Sequence, residues 1–183
     1  MFWKQINWRL CTIIGVGLAV FFTFFPGWGR GTTTHFFVYI GIGGLICQGC
    51  ALAGGLAFIL SLKWRRETFR KISAMAISAM IILVIGAFSL VPGYFVGQYD
   101  IRSAKRYCEQ LVPLLDAYKA QAGEYPDALN KIKPRKSSEP LLLRDGGFYY
   151  CSGSEFSFSF IDPGSFMGGF KYQSNDREWQ YWD

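Results

Sequence analysis

No charged residue occurs between Lys71 and Asp100. A stretch of this length without charge meets the roughly 20 apolar residues needed to cross a hydrocarbon core about 30 Å thick. From Asp100 onward the chain is polar with an apolar stripe, up to Gly123-Glu124-Tyr125-Pro126. The pattern predicts a transmembrane helix that hands over, outside the membrane, to an amphipathic helix. Two earlier stretches fit the same rule. Residues 10–25 are uncharged, and between Arg30 and Lys63 the one ionisable residue is His35, with residues 36–62 long enough to span. The expectation is three spans. The first could be a signal peptide, but it ends in Phe24-Phe25-Pro26-Gly27-Trp28 rather than a small-x-small cleavage site, so a retained anchor is expected.

Charge separates two parts of the 183-residue chain. Residues 1–97 hold eight Lys/Arg and one acid, Glu67, whereas residues 98–183 hold eleven Lys/Arg and twelve acids. The net charge of +6 therefore lies in the apolar part. There it reads as the positive-inside signal, not as a nucleic-acid face. Lys4 and Arg9 precede the first span; Lys63, Arg65, Arg66, Arg70 and Lys71 crowd the second loop; the first loop has only Arg30. This predicts a cytoplasmic N-terminus, with residues 98–183 on the outer side of a bacterial cytoplasmic (inner) membrane, in the periplasm. Domain limits are expected at 1–97 for the anchor and 98–183 for the outer domain.

Within the spans, Gly43, Cys47, Ala51 and Gly55 recur every four residues and predict a stripe for close helix packing, within the chain or between copies in a homo-oligomer. Gly86, Ser89 and Gly93 are a similar set on the third. Gln48 is expected to bond across to a neighbouring helix. No Asp, Glu, Lys or Arg lies inside a span, which disfavours an ion pathway. Cys47 and Cys50 form a CxxC pair. The spacing suits redox or metal chemistry, but a mid-span thiolate is poorly solvated, so packing is the first reading.

In the outer domain, Ile101, Ala104, Cys108, Leu111, Val112, Leu115 and Tyr118 keep helical spacing. Pro113 is expected to kink or split this helix, and Gly123 to stop it. Asp127 is a candidate cap for a short helix over 128–132, and residues 133–140 read as an exposed basic loop. The period then changes to two. Strands are expected at 147–151, 154–161, 166–173 and 178–182, with Phe156, Phe158 and Phe160 on one face. The fold class expected is a membrane α-helical anchor plus a small α+β domain, its amphipathic helix packed on a three- to four-stranded antiparallel sheet. Cys108 and Cys151, the cysteines of this domain, predict a disulfide, which an oxidising compartment permits. Such a staple would contribute about 3–4 kcal/mol.

The segment Tyr118-Lys119-Ala120-Gln121-Ala122-Gly123-Glu124-Tyr125-Pro126, followed by Ala128-Leu129, resembles the helix end of type II secretion pseudopilins and related type IV pilin-like proteins. The resemblance covers about 80 residues and implies an amphipathic helix packed on a small antiparallel sheet. A prepilin leader, with a Gly-Phe cleavage junction and a glutamate five residues into an N-terminal helix, is not expected, and the anchor is expected to be the third span. The resemblance therefore implies a pilin-like outer fold, and an accessory role in a secretion or pilus-like assembly rather than a polymerising one.

Apart from the Cys47/Cys50 pair, no metal-ligand spacing, nucleophile–base set or phosphate-binding glycine loop is present, so no cofactor, no metal and no catalytic residue is expected. Aromatic density in the strands is the unusual feature. Tyr125, Tyr149, Tyr172, Trp179, Tyr181 and Trp182 are candidates for a partner-binding surface. The functional expectation is a non-enzymatic inner-membrane protein, embedded in the lipid bilayer, whose periplasmic domain binds a protein partner. An immunity-type protein against a membrane-acting toxin is one version. A redox or metal protein using Cys47 and Cys50, and an accessory assembly component, are the alternatives.

Overall fold

The computed structural model describes residues 6–25, 29–64, 67–132, 139–144 and 147–183. The chain divides into two compact units, Met1–Val96 and Gly97–Asp183. The basic loop expected at 133–140 lies largely outside the described residues, as do Lys4, Arg65 and Arg66 of the orientation argument.

The first unit is helical. Helix α1 covers Trp8–Phe24 and is opened by Asn7, whose side chain accepts a hydrogen bond from the Leu10 N–H at 3.1 Å. Helix α2 covers Thr33–Trp64, with Thr32 as its N-cap and a π-helical stretch at Phe37–Gly43. Helix α3 covers Glu67–Ala87, and helix α4 begins at Leu90. Both α1 and α2 pack on α3. Two helical stretches, Thr33–Trp64 and Glu67–Ala122, are long and apolar enough to cross a membrane, whereas α1, with 17 residues, is shorter.

Two expectations about this unit are corrected. The third apolar segment does not run unbroken to the amphipathic helix: α3 ends at Ala87, Phe88 and Ser89 form a turn, and α4 carries residues 90–122 as one helix. The helix-packing stripe is also met only in part: Gly43 and Cys47 face inward within the chain, whereas Ala51 and Gly55 do not. Ala51 and Gly55 are exposed, and a Cβ on Gly55 would meet nothing. The inward residues are Tyr39, Gly43, Cys47, Cys50, Gly54, Ala57 and Ser61. A four-residue step overshoots a full turn by about 40° on a helix of 3.6 residues per turn, so a strict four-residue stripe winds off the contact face. The helices approach closely at Gly54, where a Cβ would stand 2.9 Å from Ala76 Cβ. Gln48 is on the exposed side of α2.

The second unit is the rest of α4 laid on a four-stranded antiparallel meander: β1 Tyr149–Cys151, β2 Phe156–Ile161, β3 Gly169–Gln173 and β4 Trp179–Trp182, in the order β1-β2-β3-β4. Ile101, Ala104, Cys108, Leu111 and Leu115 form the buried stripe of α4 and meet Phe156, Phe158 and Phe160 of β2. Pro113 lies inside α4 without splitting it. It sits on the exposed side, so the carbonyl it leaves without a helical partner can face water, while the buried stripe on the opposite side holds the helix together. Gly123 ends the helix in a left-handed conformation, φ 85°, as a C′ glycine does. Beyond it a single 3-10 turn, Leu129–Lys131, replaces the short helix expected there. Asp127 does not cap it but forms an ion pair with Lys131 at 2.7 Å.

Candidate functional site

Register sorts the strand side chains into two faces. Tyr149 pairs with Phe158, Phe158 with Tyr172, and Tyr172 with Trp179; Phe160 pairs with Phe170, and Phe170 with Tyr181. These rows all lie on the helix-facing side, because cross-strand partners share a face. The aromatic density is thus mostly core. Phe158 is fully buried, with ring contacts to Phe148, Tyr149, Phe156 and Tyr172.

Of the six aromatics expected to bind a partner, Tyr125 and Tyr172 are buried. Tyr149 and Trp179 are half-buried and already bonded, Tyr149 Oη to the Pro126 carbonyl at 2.7 Å and Trp179 Nε1 to Glu109 at 3.0 Å. Those four hold the domain together. Only Tyr181 and Trp182 are exposed.

The polar side of α4 ties down the rim of the sheet. The Lys105 ammonium lies 3.7 Å from the centroid of the Phe170 ring, and partial burial holds its pKa below the ordinary value. Asp116 accepts from Tyr125 Oη at 3.1 Å and from Arg177 at 3.2 Å. Lys119 donates to the Ser154 carbonyl at 2.9 Å. Burial, and then the Asp116 bond, raise the Tyr125 phenol above its usual pKa.

The expected disulfide is absent. Cys108 and Cys151 are free thiols. Cys108 is fully buried in the α4 stripe, which pushes its pKa strongly upward. The Cys151 Sγ instead donates to the Tyr125 carbonyl at 3.6 Å, so each sulfur is used as a small core or turn residue. Cys47 and Cys50 are also free.

The uncovered face of the sheet runs in rows of Tyr150 and Ser157; Ser159, Lys171 and Gln180; and Ile161, Gly169 and Trp182. Tyr150 and Trp182 stand at its two edges with polar residues between them. The Trp182 ring covers Gly169 so closely that a Cβ there would fall 2.7 Å from it. The period-two rule could have found Tyr150, Lys171 and Gln180. What hid them was that adjacent aromatics, as in Tyr149-Tyr150 and Tyr181-Trp182, blur which side is which.

A second polar cluster lies within the first unit. His35 is fully buried; its Nδ1 accepts the Gly31 N–H at 3.2 Å, and Nε2 lies 2.8 Å from Ser89 Oγ. A backbone N–H can only donate, so the neutral imidazole carries its proton on Nε2 and gives it to Ser89. Phe22 stacks on the ring at 5.7 Å, and Tyr39, buried in the π-helical stretch, lies edge-on to it at 5.5 Å. Gly93 and Gly86 leave the room: a Cβ on Gly93 would fall 2.8 Å from the His35 ring, and one on Gly86 2.7 Å from Tyr39 Oη. The cluster pins the start of α2 to the turn between α3 and α4. From the sequence His35 reads only as a boundary residue, because nothing local links it to Ser89.

Among the described residues no three His, Cys, Asp or Glu side chains converge as a metal site would require. Comparison with protein-family models, with curated proteins and with solved structures finds no match to this chain.

Proposed function

We propose that this is a non-enzymatic membrane protein whose second unit binds a protein partner through the uncovered face of its sheet. In this reading α1 joins the two longer apolar stretches as a third span. The N-terminus is cytoplasmic, and the second unit lies on the outer, periplasmic side of a bacterial cytoplasmic membrane. The observation that carries the reading is the division of the aromatics. The helix-facing side consumes most of them, and the other side keeps Tyr150 and Trp182 around Ser159, Lys171 and Gln180. Tyr and Trp framing polar groups is the composition that recurs at binding surfaces. An immunity-type protein that neutralises a toxin acting at the membrane is the specific form that fits a small outward domain with no catalytic set.

The test is mild crosslinking in the native membrane, purification of the full chain and mass spectrometry. A stoichiometric partner joined through Lys171 supports the reading, and Tyr150→Ala with Trp182→Ala should abolish its recovery. Self-crosslinks alone, through residues 39–61, would sink it and point to a homo-oligomer. A second reading, an accessory component of a secretion or pilus-like assembly, is favoured by the order of a long helix followed by an antiparallel meander. In that case the recovered partner is an assembly subunit.

A further inference from the structure

The contacts of α4 set the direction of the sheet within the second unit. Lys119 reaches Ser154 in the β1–β2 turn, Asp116 reaches Arg177 at the β3–β4 turn, Glu109 reaches Trp179, and Lys105 reaches Phe170. The β2–β3 turn, residues 162–168, therefore lies at the Lys105 end, the end by which the chain enters the unit. Asp162 is near enough to act on the Lys105 charge.

Among the described residues of the unit, that turn carries the two most exposed large apolar side chains, Phe166 at 87% and Met167 at 75%, with Ile161 at 67% at its base. The turn is braced from within. The Asp162 N–H donates to the Gly168 carbonyl at 3.0 Å, the Asp162 carboxylate accepts from the Gly164 N–H at 2.8 Å, and Ser165 Oγ accepts from the Gly168 N–H at 2.9 Å. With these backbone groups satisfied locally, the turn presents a firm apolar tip.

The occupant follows from where α4 comes from. The residues leading into the unit, 72–99, are uncharged, and Asp100 is the first charge after them. Lys105 stands only about 8 Å further along the helix at 1.5 Å per residue. The headgroup region on each side of a bilayer is about 5–8 Å deep. A tip that reaches back from the level of Lys105 toward Asp100 ends in that region.

We propose that Phe166 and Met167 insert into the headgroup–acyl boundary of the bilayer that α4 leaves, seating the second unit on the lipid surface. This contact rests on the membrane reading above but not on the partner reading: it lies at the Ile161–Gly169–Trp182 end of the sheet, away from Tyr150 and Lys171.

The test uses the full chain in nanodiscs of phosphatidylcholine that include a phosphatidylcholine with a diazirine close to the glycerol. After irradiation, lipid adducts are mapped by mass spectrometry. Adducts are expected on the peptide holding Phe166 and Met167 and not on the β1–β2 turn, residues 152–155, at the opposite end. The double variant Phe166→Ser, Met167→Ser changes only exposed residues, and it should lose the adducts at Ile161 as well. Equal labelling of the two turns, no labelling of 162–168, crosslinks from 162–168 to a second copy, or Ile161 adducts that persist in the double variant would each overturn the proposal.

Discussion

The first unit buries Gly54, Ala57, Ser61, Ser73 and His35, and leaves Leu45, Leu52 and Leu56 outside. The second buries Leu111, Leu115 and Phe158, and leaves Arg102, Arg106 and Glu109 outside. One chain thus uses opposite rules in its two halves. In water, burying large apolar side chains drives folding, at roughly 25 cal/mol per Å² of apolar surface. Where the surroundings are as apolar as leucine, that drive vanishes, and helices associate through small residues that let backbones approach and through buried hydrogen bonds. The second unit obeys the first rule and the bundle obeys the second, as a lipid-facing bundle would.

The comparison breaks most sharply at Phe158. It is fully buried and touches four other rings. Phe158→Ala should cost the second unit about 3–5 kcal/mol. Denaturant titration of the full chain in micelles, followed by the fluorescence of Trp179 and Trp182, reads this directly. A loss under about 1 kcal/mol would mean that the aromatic cluster is not the core of the unit.

In the bundle the sensitive direction is reversed, because enlarging a residue should hurt more than shrinking one. Gly54→Leu drives a side chain into Ala76 and should cost about 1–3 kcal/mol. Gly55→Leu, one position on, meets open space and should be neutral or gain up to about 1 kcal/mol from helix propensity. Detergent-titrated unfolding of the two variants separates the observed contact face from a stripe spaced every four residues. Equal effects would mean that Gly55 also contacts something, a second copy being the obvious candidate.

The same contrast explains what could be read from the sequence. The second unit was legible because water imposes periodicity. Ser154–Ile161 alternates, and the strand Phe156–Ile161 forms with Phe156, Phe158 and Phe160 all facing the helix. Ile101, Ala104, Cys108, Leu111 and Leu115 repeat at helical spacing and form the stripe that packs there. The bundle was less legible because an apolar helix is apolar all round. Its contact face is marked only by small residues, which occur off the face too, as at Gly49 and Gly55. The His35–Ser89 bond joins residues 54 positions apart, a separation that no local pattern encodes. Cys108 and Cys151 misled because both belong to one core, and proximity in a core does not make a bond.

Ser89 tests whether polar pairing steadies the bundle as small-residue packing does. Ser89→Ala leaves the buried His35 Nε2–H without its acceptor, which should cost about 1–3 kcal/mol. The loss should appear in unfolding of the first unit and leave the Phe158 core untouched. No loss would place water at that nitrogen and leave the bond no part in holding the bundle.

The smallest effect concerns Cys108, and it depends on pH. Burial raises the folded-state pKa of this thiol well above its ordinary value of 9.0. The sign is set by proton counting. Below about pH 9 the thiol is protonated in both states, and its full contribution to stability is present. As pH rises past the unfolded value, the unfolded chain loses the proton while the folded one keeps it. Stability then falls by up to about 1.4 kcal/mol per pH unit from this group. Tyr125, Tyr149 and Tyr172, all raised by burial, add to the same alkaline loss above their own ordinary values. Cys108→Ala should flatten the slope that starts near pH 9 and leave the tyrosine part, at a fixed cost in packing. A disulfide at this position predicts a different result: no thiol slope in the wild type, and a loss of about 3–4 kcal/mol on adding reductant. With free thiols, reductant should change nothing. Unfolding at pH 7 and pH 10, with and without reductant, therefore tells a cysteine used as a small core residue from one used as a staple.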